Sequence, residues 1–479
     1  MKKITALLLA VVLLAAVLLT GCGKSDTLTL NVYNWGEYIS DGSEGSYDTV
    51  AEFESWYEET YGISVRVEYS TFGTNEDLYN MLTLGDVYDL VCPSEYLIMK
   101  LMSEDALVPL SEAFFDEDEE YNYYMKGVSP FIRRMFETKE IGGEPWSKYA
   151  TGYMWGVTGL VYNPELVTRD QASTWKILAD PAFRRQVTIK DSVRESYFAA
   201  VAAIKSDLLT SEEFRSDPNY SQRLEEEMND TSPEMIEQVE AWLKDVKDNV
   251  YSFETDAGKA DMITGKVAVN YQWSGDGVYT MDQADEDDFT LAYAVPEEST
   301  NIYFDGWVML KKGIEQDGRK QHAAEAFINY ISRPDNTIRN MYYTGYTSVL
   351  SGGDDPRLYE YAQYNYEAED DEEETVEYDL RYFFAGDDPE EGEADEYIME
   401  VPADQADRQI SAAFPPEDVI ARSSIMTYFT DEQNARINQM WINVRCFDIR
   451  EASAGGWILI GATVAFSLAF LVRRYRGRV

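Results

Sequence analysis

The segment NVYNWGEYIS, residues 31–40, brings together the indole of Trp35, the carboxylate of Glu37 and the phenol of Tyr38. A carboxylate pairs with an ammonium group, and aromatic faces attract a cation and cover an alkyl chain, so this trio suits an organic cation. The same mixture recurs at Ser94 and Tyr96 in PSEY, in KVAVNYQWSGDG (266–277) and in IYFDGWVML (302–310). Each follows or interrupts an apolar run. Catalytic signatures are absent from the sequence: there is one histidine, no Cys/His or Ser/His/Asp arrangement and no glycine-rich phosphate loop. An acid/base carboxylate pair is the catalytic alternative left open, because Asp and Glu are abundant throughout.

The elements that must position these residues are legible as periodicity. TLTLNVYN (27–34) alternates like a strand, Tyr47, Val50, Phe53, Trp56 and Thr60 recur at helical spacing, and Gly62 is placed to end that helix. ISVRVEYS (63–70) alternates again, Thr74 or Asn75 starts a second helix carrying Leu78, Met81 and Leu82, and VYDLVCP (87–93) reads as a short buried strand. Such a β-α-β-α-β unit implies a parallel sheet with right-handed crossovers. With strand order 2-1-3, a crevice opens at the carboxyl ends of strands one and three, and both Trp35–Tyr38 and Ser94–Tyr96 would line it. Further along, a strand enters a helix near Asp191. An amphipathic helix spans about Lys320–Ile331, with the lone His322 expected to face solvent.

The 479 residues point to two domains, and a formal charge of −48 with pI ≈ 4.2 makes nucleic acid a poor partner while concentrating cations at the surface. Three cysteines are too few for a disulfide framework. Residues 1–22 read as a signal segment ending in Leu19-Thr20-Gly21-Cys22, a lipobox-like tetrapeptide that makes Cys22 the lipid-modified residue; Cys92 and Cys446 are expected to be small buried residues. Residues 455–472 are apolar for roughly the length of a membrane span, and a basic tail, 473–479, follows; by the positive-inside rule the tail is cytoplasmic and the bulk of the chain lies on the outer face. Two acidic stretches, Asp116–Glu120 and about 354–407, read as solvated insertions, the longer one aromatic enough to pack in part on a domain. Neither has the spaced Asp/Asn-Gly loop of a tight calcium site, so no metal and no cofactor are expected.

YNWGEY, YDLVCPSEY, MWGVTGLVYN, KDSVRES, VNYQWSG, YFDGWVML, INYISRPD and TGYTS occur in this order, and the chain thereby resembles the bacterial spermidine/putrescine-binding proteins over roughly Leu28–Ser348, and weakly over 414–445. The resemblance implies a two-lobed α/β periplasmic-binding-protein (type II) fold with discontinuous lobes, 27–155 plus 304–351 and 156–303 plus 352–449, followed here by the C-terminal transmembrane helix. It implies ligand contacts at Trp35, Glu37, Tyr38, Ser94, Tyr96, Asp191, Glu195, Trp273, Tyr303, Asp305 and Tyr346. Departures from the family pattern fall at Gly36, where a hydroxyl is missing, at Ser192 in place of a second Asp, and at Tyr303 in place of Trp. A Gln that the family places near its C-terminal helices has no counterpart. The implied function is capture of a polyamine on the outer face of the membrane and delivery to the permease subunits of an ABC importer, with no enzyme activity. The alternatives are a polyamine-sensing or scaffolding receptor without transport, and the binding of another solute by the same fold.

Overall fold

The computed structural model describes residues 27–368, 374–386 and 394–446. Cys22 and the apolar stretch 455–472 therefore lie outside the described residues. Among those described, no helix is long and apolar enough to cross a membrane.

The chain opens with β1 (Leu28–Trp35), α1 (Thr49–Tyr61), β2 (Val65–Phe72), α2 (Asn75–Leu84), β3 (Leu90–Val91) and α3 (Glu95–Ser103). Helix ends follow local chemistry. The Asp48 and Thr74 side chains accept the Ala51 and Asp77 N–H groups at the starts of α1 and α2. Gly62 closes α1 at φ 68, a left-handed conformation that glycine adopts without steric cost. β1 pairs in parallel with β2 from Leu28↔Val65 to Trp35↔Phe72, and on its other side with β3.

The middle of the sheet consists of two long strands, β4 (Ala150–Tyr162) and, later in the chain, β8 (Thr300–Leu310), every residue of which is buried. Between them come β5 (Val187–Lys190), α4 (Val193–Ile204), β6 (Ser252–Glu254), β7 (Val269–Trp273) and α5 (Ser274–Glu286). The resulting order is β2-β1-β3-β8-β4-β7-β5-β6. β8 runs antiparallel to both β3 and β4, and the far half of β4 pairs antiparallel with β7. Burial on both faces lets apolar side chains stand on both sides of these strands, as Met154, Trp155, Val157 and Leu160 do in β4.

Two hydrophobic cores flank the central strands. The first includes Leu30, Phe53, Leu90, Ile98, Trp155 and Phe304; the second includes Ile189, Val201, Val239, Leu243, Val269 and Met440. The helix Asp431–Arg445 packs on the second core. The aromatic part of the acidic insertion does not follow it there: Tyr382 and Phe383 are buried in the first core, Phe383 stacking on Trp155 at 5.5 Å between centroids. Cys92 is buried as expected, whereas Cys446, just past the end of a surface helix, is exposed. His322 is exposed, and its Nδ1 lies 2.9 Å from the Tyr57 hydroxyl.

Candidate functional site

The carboxyl ends of β1 and β3, the cleft-facing side of β8 and the β7–α5 junction border one cleft of about 1480 Å³. Ten of the eleven residues expected in the site line it: Trp35, Glu37, Tyr38, Ser94, Tyr96, Glu195, Trp273, Tyr303, Asp305 and Tyr346. Asp191 does not. It is ion-paired with Arg445 at 2.8 Å, which draws it toward the C-terminal helix instead.

The strand period of two explains the deepest wall, since Asn301, Tyr303 and Asp305 of β8 all face the cleft. Register shifts immediately after Asp305, a bulge that sets this side chain apart from the regular pleat. The Asp305 carboxylate is buried and accepts two hydrogen bonds, from the Ser94 hydroxyl at 2.6 Å and from the Tyr38 hydroxyl at 2.7 Å. Ser94 stands at the N-cap of α3, yet its hydroxyl makes no capping bond because it is committed to Asp305. Asn75 holds the arrangement from behind: its Nδ2 donates to Ser94 Oγ at 3.0 Å and to the Tyr96 hydroxyl at 2.9 Å, and its Oδ1 accepts the Ser94 N–H. Tyr346 meets Tyr38 edge-on at 4.8 Å and Tyr303 at 6.4 Å, so three phenol rings surround one carboxylate.

Burial pushes the Asp305 carboxyl up to about 6, against the pull of the Ser94 and Tyr38 hydroxyls; the Glu195 charge adds to the rise. Burial likewise pushes Glu95 up to about 8, and burial followed by the Glu195 charge pushes Glu76 up to about 6. Glu95, fully buried near Asp305, accepts the Phe304 N–H at 3.2 Å through Oε2 while its Oε1 has no hydrogen-bond partner among the described residues. A carboxylate in such surroundings gains most from an added cation, which replaces the water it has lost. Glu195, at the start of α4, accepts a hydrogen bond from Ser192 and forms no ion pair among the described residues.

The aromatic walls are partly claimed by the chain itself. The buried Lys190 ammonium lies 4.1 Å over the Trp273 ring and donates to the Thr255 carbonyl at 2.7 Å, so one face of that indole is covered. The Arg194 guanidinium lies 4.3 Å from the Tyr96 centroid and 3.6 Å from that of Phe429. Trp35 packs on Phe72 at 4.6 Å, and its indole N–H is buried without a partner among the described residues. Glu37 sits at the mouth, exposed, with φ 53. A glutamate held in the left-handed region costs backbone strain, and the neighbouring Gly36 does not take that conformation in its stead.

Residue types that bind cations are therefore gathered in one cleft whose floor carries a desolvated carboxylate. Among the described residues no group of three or more His, Cys, Asp or Glu side chains is placed to hold a metal ion. Residues 48–363, more than half of the chain, match the family described as bacterial extracellular solute-binding protein. The chain belongs to that family. Among curated relatives of this solute-binding protein, the putrescine-binding periplasmic protein of Escherichia coli K12 is 25% identical over 323 residues, 66% of this chain and 76% of that one. The spermidine/putrescine-binding periplasmic protein of Salmonella typhimurium is 26% identical over 338 residues, 70% of this chain and 81% of that one. Solved structures agree on the fold. A spermidine/putrescine ABC transporter substrate-binding protein of Streptococcus pneumoniae superposes with TM-score 0.55 at 22% identity, covering 88% of this chain and 99% of that one. A lipoprotein of Treponema pallidum does so with TM-score 0.56 at 18% identity, covering 87% and 99%.

Sequence reasoning missed four groups that shape the solute-binding cleft: Asn75, Glu95, Lys259 and Asp276. Asp276 had a visible signal, since it lies three residues after Trp273 in WSGDG and returns to the same wall on the first turn of α5. Asn75 and Glu95 hold or back other site residues. Lys259 reaches the cleft from a short helix whose sequence marks nothing, so only the tertiary structure reveals it.

Proposed function

We propose that the protein is an extracytoplasmic receptor that closes its two lobes on an alkyl polyamine of the putrescine or spermidine class and delivers it to an ABC importer. The observation that carries this reading is Asp305: a buried carboxylate, held by two hydroxyls, ringed by Tyr38, Tyr303 and Tyr346, and without an ion-pair partner among the described residues. An ammonium group there recovers electrostatic stabilisation lost on burial, and the methylene chain lies along aromatic faces. In this reading Glu195 and Asp305 pair with the ligand's ammonium groups and Glu37 adds negative charge at the mouth, while Trp35, Tyr96, Trp273 and Tyr346 cover the chain and Ser94 fixes Asp305. The names of the curated relatives support the ligand class. The lobes are 27–155 with 304–351, and 156–303 with 352–449; β4 and β8 pass between them and form the hinge. Cys22 and 455–472 supply the lipid and transmembrane anchors.

Thermal unfolding with a panel of solutes tests the reading. A ligand that binds only the folded protein at about a hundred times its Kd adds about 2.7 kcal/mol of stability. Putrescine or spermidine is expected to raise the melting temperature, and 1,4-butanediol at equal concentration is not. A rise with an unrelated solute and none with either polyamine would reassign the cleft.

A further inference from the structure

The carboxylates of the cleft fall into two groups. Asp305 and Glu195 have no chain ammonium or guanidinium in an ion pair with them among the described residues. Glu37 and Asp276 do: the Lys259 ammonium lies 3.7 Å from Glu37 Oε2 and 3.4 Å from Asp276 Oδ1. Glu37 follows β1 and Asp276 belongs to α5, so this lysine bridges the two sides of the cleft. Its side chain is only 15% exposed and runs from the helix Ala257–Ile263 to within 5.5 Å of the Tyr279 ring. Two carboxylates and an aromatic face around one ammonium reproduce what the other group offers a ligand. Although burial opposes it, Asp276, Asp256 and Glu37 raise the lysine's pKa, so the ammonium form is held there.

We propose that Lys259 is a specificity-determining residue whose ammonium group fills one cation seat of the cleft, so that the protein accepts one ammonium fewer than its carboxylates could hold and prefers a diamine to a triamine. The proposal rests on the polyamine reading above. A diamine places its charges at Asp305 and Glu195; the third charge of a triamine then meets the Lys259 ammonium at the mouth of the cleft, and like charges repel. A surface lysine paired by chance would lack the second carboxylate, the burial and the position inside the ligand cleft.

The test is calorimetric titration of the full-length wild-type protein and of Lys259→Met with putrescine and with spermidine, in matched detergent and salt. Methionine keeps the stem and removes the charge. The expected result is a wild-type preference for putrescine, and a shift of the putrescine-to-spermidine affinity ratio toward spermidine by about tenfold or more in the variant, the scale of one charge-assisted contact. Binding of both ligands with an unchanged ratio overturns the role of Lys259 and leaves the polyamine reading standing, as does a uniform loss of affinity, which would make the lysine a latch between the lobes. Failure of both proteins to bind either amine, with native melting profiles, overturns the polyamine reading and this proposal with it.

Discussion

Asp305 is held in an environment that disfavours its own charge, and the cleft's affinity for a cation follows from that. Asp305→Asn keeps the shape and one of the two acceptor oxygens but removes the charge-assisted partner, so binding is expected to weaken by roughly 1.5–3 kcal/mol, read as the change in Kd. The carboxyl's rise to about 6 gives a pH signature. An ammonium ligand requires the carboxylate, so affinity is expected to fall as pH drops below about 6, with proton release on binding measurable in buffers of different ionisation enthalpy. An affinity flat across that range would remove Asp305 from the contact. Glu95 acts on stability instead. Unfolded, it loses its proton near its ordinary 4.5; folded, burial holds the proton up to about 8. Between these values the native state binds the extra proton, so stability is lost as pH rises through that window. Glu95→Gln lacks this titration, and its melting temperature is expected to decline less than the wild type's between about pH 5 and pH 8.

At the scale of elements, the start of α5 is pressed against the site. A Cβ on Gly275 would lie 2.2 Å from Tyr346 Cγ, so the helix approaches the ring only because that residue is glycine. Gly275→Ala should displace Tyr346 and cost roughly 1–3 kcal/mol of overpacking. In a Tyr346→Ala background the same change should cost nothing, a non-additivity that melting curves of the four proteins reveal. The elements themselves were largely legible: β1, α1, β2, α2 and β3 fall where alternation, helical spacing, Thr74 and Gly62 put them, and the 2-1-3 order follows from parallel connection. The meeting of β8 with both β3 and β4 was not, because antiparallel pairing between strands so far apart in the chain, as Val308 with Val91 and with Ala150, leaves no periodic trace. For the same reason Tyr38, Ser94 and Asp305 were legible as types but not as a hydrogen-bonded triad. Asp191 shows the converse: its spacing places it at a helix start, yet the cation that claims it, Arg445, comes from a helix 254 residues away.

For the whole molecule the relevant quantity is charge. At −48 the protein surrounds its cleft with a field that attracts polycations, and that field acts on encounter more than on residence. Raising ionic strength is expected to slow polyamine association by about tenfold or more while changing dissociation little. Dissociation that speeds up as much as association slows would mean that the amine is held at the surface and not in the cleft. The central claim, that a desolvated carboxylate in an aromatic cleft makes this solute-binding protein a polyamine receptor, is tested most directly by calorimetric titration of wild type and Asp305→Asn with putrescine, spermidine and 1,4-butanediol in moderate salt. Saturable one-to-one binding of an amine by the wild type, sharply weakened in Asp305→Asn and absent for the diol, is the expected result. Heat that salt abolishes and that Asp305→Asn leaves unchanged would contradict it.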